Sequence, residues 1–231
     1  MTSNKATAHF AGAIYLALVI SGVVALMYVP SKLIVPGDAA ATAGKIVAEE
    51  ALYRLGILAA MLCQLCYIAL PLVLYKLLAP VHRPLAILMV TLAFVSVPIS
   101  FVSIANSLDI LALVNDVRGT TAPVPLEVAT QVSVKLTTAA SQSLMAELFW
   151  GLWLLPFGLL VYRSGILPRV LGAFLMIGSV GYLLAVVLQI MWPAWYRASG
   201  VSAYINLPSS VGEIGICLWM LIRGAKEQRC A

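Results

Sequence analysis

Charge is what this chain has least of. Only 10% of its 231 residues are Asp, Glu, Lys or Arg, against about 25% in an ordinary soluble domain, and 62% are hydrophobic. That balance excludes a soluble globular protein and leaves a helical membrane protein. Histidine is scarcer still. His9 and His82, the two present, lie near helix ends, so a deep His-ligated haem or zinc triad lacks ligands and Ser–His catalysis is disfavoured. The four cysteines build no disulfide framework: Cys63 and Cys66 share one apolar run, Cys217 lies in another, and Cys230 is in the basic tail. A lone C-x-x-C inside a span makes a poor metal site. Walker, dinucleotide and G-x-S-x-G signatures are all missing, which removes nucleotide-driven, Rossmann-type and lipase-type chemistry. Neither a metal nor a cofactor is expected. The net charge of +5 comes from basic residues spread singly along helix ends, with no patch of interleaved aromatics, so nucleic acid is not an expected partner.

Apolar runs are what the chain has in abundance. Six are long enough to cross about 30 Å of hydrocarbon: about 9–29, 53–78, 84–115, 136–162, 167–192 and 203–223. The expected fold is an all-α, six-helix polytopic bundle, a single integral membrane domain over 1–231. "MTSNKATAHFAG" has no small-residue cleavage site after its apolar run, so the first helix is expected to be retained. Lys5, Lys76, Arg83, Arg163, Arg169, Arg223, Lys226 and Arg229 fall on the terminal side with one acid, Glu227. The opposite loops carry Lys32, Lys45, Arg54, Arg118, Lys135 and Arg197 together with Asp38, Glu49, Glu50, Asp116 and Glu127. The positive-inside rule therefore puts both termini in the cytoplasm, and the rings of "MWPAWY" at the outer interface. Asp38 before an alanine-rich stretch predicts a capped surface helix, while the prolines of "TTAPVPLEVATQ" forbid a continuous helix through 123–125.

Basic residues at helix ends serve as a depth ruler. At a rise of about 1.5 Å per residue, Glu213 lies roughly 15 Å from Arg223, Gln64 roughly 18 Å from Lys76 and Glu147 roughly 24 Å from Arg163. Ser96, Ser100, Ser103 and Ser107 share one face of the third span, Asn206, Ser209 or Ser210, Glu213 and Cys217 one face of the last, and Ser143, Glu147 and Trp150 one face of the fourth. These faces predict an outer-half cavity with Asn106, Asp109 and Arg54 near its mouth. Serines on membrane helices usually serve as packing and hydrogen-bonding devices, and Gln64 reads first as a helix-to-helix bond.

An acid near the midplane costs roughly 2.5–3.5 kcal/mol on insertion scales, so Glu213 is neutral, paired or useful. A carboxyl in low dielectric without a fixed cation favours its neutral form and can donate a proton. Glu213 as donor and Glu147 as base or second acid make a pair suited to a non-redox isomerase or cyclase acting on a lipid-soluble, isoprenoid-like substrate. Arg54, Gln64, Ser100, Asn106, Asp109, Trp150 and Asn206 would bind it, and the faces of Trp150, Trp153 and Tyr182 would shelter positive charge. The alternative is a non-enzymatic binding or proton-coupled carrier protein for a small hydrophobic molecule. No half-to-half correspondence with broken helices points to alternating access. Membrane lipid is the expected surrounding partner, and two copies of six spans can pair as a homo-oligomer.

Three stretches, "IVPGDAAATAGKIVAEEALYRLGI", "YRSGILPRVLG" and "VGEIGICLWMLIRG", together resemble the domain of unknown function 4386 family of small bacterial membrane proteins, over about residues 9–224. The second stretch reads physically as a helix exit at Tyr162 and Arg163, a Ser-Gly turn and re-entry with Pro168 close to the first helical position. The resemblance implies a multi-pass protein of the bacterial inner membrane and marks Glu213 as part of a family motif.

Overall fold

The computed structural model of the chain describes residues 4–117 and 124–226. Arg118, Pro123, Glu227, Arg229 and Cys230 lie outside the described residues. Among the described residues the chain is helical, with no strand. Five helical stretches are long and apolar enough to cross a membrane: Asn4–Leu33, Glu50–Leu78, Arg83–Asp116, Leu126–Ser164 and Arg169–Met191.

The first stretch comprises α1 (Asn4–Val23), a π-helical turn (Val24–Tyr28) and α2 (Val29–Leu33). Pro30 accounts for the π turn. Its ring carries no N–H and would crowd the carbonyl of Leu26 in a regular α-helix, and the backbone instead closes a wider loop from the Val29 N–H to the Val24 carbonyl. Helix α3 (Ala39–Ala48) starts where Asp38 predicts, the Asp38 carboxylate accepting from the Ala41 N–H at 2.8 Å. Then come α4 (Glu50–Leu78) and α5 (Arg83–Asp116), which keep Pro71 and Pro98 inside the helix.

Two expected boundaries move. Helix α6 (Leu126–Ser164) begins at Leu126 rather than near 136. In its polar first half Thr130, Thr137, Thr138 and Ser141 donate their hydroxyls to carbonyls one turn back, an arrangement compatible with a continuous helix because the helical N–H groups stay engaged with the backbone. The last expected span, 203–223, is interrupted. After α7 (Arg169–Met191) and α8 (Pro193–Ser199), it divides into α9 (Val201–Ile205), a turn at Asn206, and α10 (Leu207–Ile222). Pro208 in the first turn of α10 supplies no N–H, which permits the break. With 16 residues, α10 alone is shorter than the roughly 20 that a crossing takes.

The residues group into two compact units. Among the described residues the first falls within 1–17, 66–97 and 144–231, and the second within 18–65 and 98–143. In the first unit, Trp153 stacks on Phe157 at 5.3 Å and takes the edge of Tyr67 at 5.4 Å. Small residues let its helices approach backbone to backbone: a Cβ on Gly178 of α7 would stand 2.5 Å from the Ser209 Cα of α10, and one on Gly12 of α1 2.5 Å from the Leu221 N. The start of α1, the α6–α7 turn and the end of α10 also meet there. The His9 ring lies 2.8 Å from the Leu221 carbonyl, and the Lys226 N–H donates to the Ile166 carbonyl at 3.1 Å. That turn is the expected one, with Gly165 at φ +66 and Pro168 immediately before α7.

In the second unit, α3 lies on a core that includes Leu33, Ile46, Ile57, Ile104 and Ile110. Ser103 of α5 ties to α6 through the Ala139 carbonyl at 3.1 Å and Ser143 at 3.2 Å, so this part of the serine stripe is a helix-to-helix fastening.

Gly178→Leu should force α7 off α10 and lower stability by about 1–3 kcal/mol, whereas Gly44→Ala on α3, with nothing within 4 Å of its Cβ, should raise it by about 0.5–1 kcal/mol. Thermal unfolding in detergent checks both; equal melting points for the two variants would contradict the packing.

Candidate functional site

The acid that the sequence singles out is built into the first unit. Glu213 sits in the middle of α10, half-buried, and each of its carboxyl oxygens meets a phenol from another helix. The Tyr15 hydroxyl, on α1, donates to Oε2 at 3.1 Å, and the Tyr182 hydroxyl, on α7, donates to Oε1 at 3.5 Å. Tyr15 is completely buried. No cation pairs with Glu213 among the described residues. The same face of α10 carries Cys217, whose thiol points at the Gly12 carbonyl at 3.7 Å, and Ser209, whose hydroxyl donates to the Asn206 carbonyl at 2.7 Å. Three helices therefore converge on one carboxyl.

Glu147 belongs to the same unit. Its Oε2 accepts from Gln189 Nε2 on α7 at 3.2 Å. Tyr182 stands within Coulombic range of both Glu213 and Glu147, so α7 presents polar groups to the two acids two turns apart. Beyond the spans, burial and then the charge of Glu147 hold the Tyr196 phenol of α8 above its ordinary range. Two polar atoms of this unit are buried with no hydrogen-bond partner among the described residues: Trp150 Nε1, one turn along α6 from Glu147, and Asn206 Oδ1.

The other expected binding residues, Arg54, Gln64, Ser100, Asn106 and Asp109, fall in the second unit, where they are mostly engaged with protein. Arg54 Nε bonds Glu50 at 2.6 Å, Asp109 pairs with Lys135 at 2.7 Å on an exposed surface, and Asn106 donates to Gln142 at 2.8 Å. Ser100 is buried, and Gln64 is buried with its Oε1 unpartnered. None of these five lines the cavity found in that unit.

Tyr15, Gln189 and Gln142 have no part in the sequence-based expectations, and Tyr182, expected to offer its ring face, also directs its hydroxyl at Glu213. Tyr15 had a signal. It lies ten residues from Lys5, as Glu213 lies ten from Arg223, so the same ruler puts both at roughly 15 Å. No group of three or more His, Cys, Asp or Glu placed to hold a metal occurs among the described residues.

A family model described as Domain of unknown function (DUF4386) matches residues 10–224. The chain belongs to this family. The DUF4386 match includes Tyr15, Glu147, Tyr182, Gln189 and Glu213, so the whole polar cluster lies inside the family domain. A similar protein is an uncharacterized protein of Archaeoglobus fulgidus, 34% identical over 82 residues, which is 36% of this chain. The chain spans 46% of that relative's length. No solved structure matches.

Tyr15→Phe and Glu213→Gln should couple by about 0.5–2 kcal/mol in a double-mutant cycle of unfolding, since they share one hydrogen bond in an apolar setting. Additive losses would mean that the hydroxyl and carboxyl do not interact.

Proposed function

We propose that this chain is a six-span protein of the bacterial cytoplasmic membrane, with both termini on the cytoplasmic side, in which the Glu213 cluster does acid/base work on a lipid-soluble, isoprenoid-like molecule. The reaction class is a cofactor-independent isomerisation or cyclisation. For the sixth crossing, α9, the helical turn at Asn206 and α10 together run about 33 Å from 201 to 222 at the usual rise, and Asn206 keeps right-handed backbone angles. The meeting of both chain ends with the basic α6–α7 turn supports a shared side for the termini. Membrane lipid is the proposed partner of the exposed leucines of α4, among them Leu58, Leu62 and Leu65.

The observation that carries the chemistry is a carboxyl held by two phenols and no cation. A protonated Glu213 gives its proton to a substrate double bond. The carboxylate left behind is then stabilised by the Tyr15 and Tyr182 hydroxyls already aimed at its oxygens. Glu147 takes a proton from a neighbouring carbon, so protons balance and no redox partner is required. Trp150 Nε1 and Asn206 Oδ1, both buried and unpartnered, offer a donor and an acceptor to a polar atom on the substrate.

Untargeted mass spectrometry of small molecules co-purified in native lipid discs tests this. Glu213→Gln keeps shape and much of the hydrogen bonding but removes the proton, so one apolar compound should accumulate on the variant while its isomer accompanies the wild type. The same compound unchanged on both proteins would indicate a binding or carrier protein; ordinary lipids on both, with a less stable variant, would make Glu213 a structural acid. For the topology, a membrane-impermeant maleimide on intact cells should label Asp38→Cys and leave Lys226→Cys unlabelled, and the opposite pattern would invert the orientation.

A further inference from the structure

The second unit contains a cavity of about 140 Å³ that no residue of the Glu213 cluster helps to build. Its walls are apolar. Leu26 and Val29 come from the π turn and α2, Ile57 and Ala60 from α4, and Ile104 from α5. The π turn forced by Pro30 widens this stretch of the first helix, and such turns recur where helices border ligands. Two hydroxyls interrupt the apolar lining, those of Tyr53 on α4 and Ser107 on α5. Tyr53 is only 8% exposed, and its buried hydroxyl makes no well-formed hydrogen bond among the described residues, Ser107 standing close enough for a weak one alone. An orphaned phenol of this kind costs free energy unless something accepts its proton.

A water between Tyr53 and Ser107 would have only the two partners that a buried water needs at the least, and it would leave the apolar walls of Val29, Ile57 and Ile104 uncovered. The space opens on one side, where Leu26 and Ile34 are exposed, and its volume is close to the roughly 150 Å³ that accepts benzene, so by size it takes one ring or the end of a chain. We infer that this cavity is a binding site for a small lipid-soluble molecule, or the end of a larger one, carrying a single hydroxyl or carbonyl oxygen that accepts the hydrogen bond of Tyr53. The apolar body packs on Val29, Ile57 and Ile104, and Ser107 completes the polar corner. The site requires no chemistry at Glu213.

The probes are 4-fluorophenol and fluorobenzene, followed by fluorine NMR with the full chain in lipid discs and with empty discs as the partition control. Wild type should bind 4-fluorophenol above the control and about three- to tenfold more tightly than fluorobenzene, the range a single net hydrogen bond supplies. Tyr53→Phe should remove that preference while leaving fluorobenzene unchanged, and Ala60→Phe should block both probes by filling the space. Signals no greater than in empty discs would overturn the site, as would a phenol preference that survives Tyr53→Phe. Should Ala60→Phe fail to fold, the comparison of the two probes on wild type and Tyr53→Phe decides alone.

Discussion

An acid placed among apolar helices must be satisfied by the protein itself, since hydrocarbon offers it no hydrogen bonds. In the first unit that requirement organises three helices at once. Glu213 on α10 needs partners on both oxygens, and it finds them in Tyr15 of α1 and Tyr182 of α7, residues that lie 198 and 31 positions away in sequence. Such reach is available only where the backbones come close. Gly12 and Gly178 give that closeness, because a Cβ at either would collide with α10. The small residues and the phenol–carboxyl bonds are therefore parts of one device: the first let the helices touch, and the second fix how they are turned.

The second unit meets the same requirement with local pairings. Ser103 and Asn106 of α5 reach across to α6, while Arg54 and Asp109 are each engaged with an opposite charge. The exceptions are informative. Tyr53, Gln64, Trp150 and Asn206 each keep a buried polar atom without a hydrogen-bond partner among the described residues, which is uncommon in a folded protein. Two of these lie near the acids of the first unit and one lines the apolar cavity of the second.

Much of the helical organisation was legible in the residues. Asp38 ahead of an alanine run announced α3, and the Ser-Gly turn with Pro168 announced the α6–α7 connection, because caps and turns act over a few residues. The start of α6 was not legible from hydropathy, since its first turns are polar, with Thr130 and Thr137 folding their hydroxyls back on their own helix. The interruption at Asn206 was hidden in a continuous apolar run. Among site residues, depth was readable and partnership was not. The ruler that placed Glu213 near the midplane gives Tyr15 the same depth, yet it cannot tell whether the two side chains face each other.

The sequence by itself determined that this is a chain of long apolar helices, where most of them begin and end apart from the start of α6 and the break at Asn206, and which residues are too polar to face lipid. The reason is that a helix satisfies its own backbone, so its existence and length are local properties. The tertiary structure alone decided that Tyr15 and Tyr182 rather than a cation hold Glu213, that Gln189 holds Glu147, and that Pro30, Tyr53 and Ser107 border one cavity. Those outcomes depend on the rotation of each helix about its axis and on which helices are neighbours, and neither is encoded in the spacing of residues along a single run.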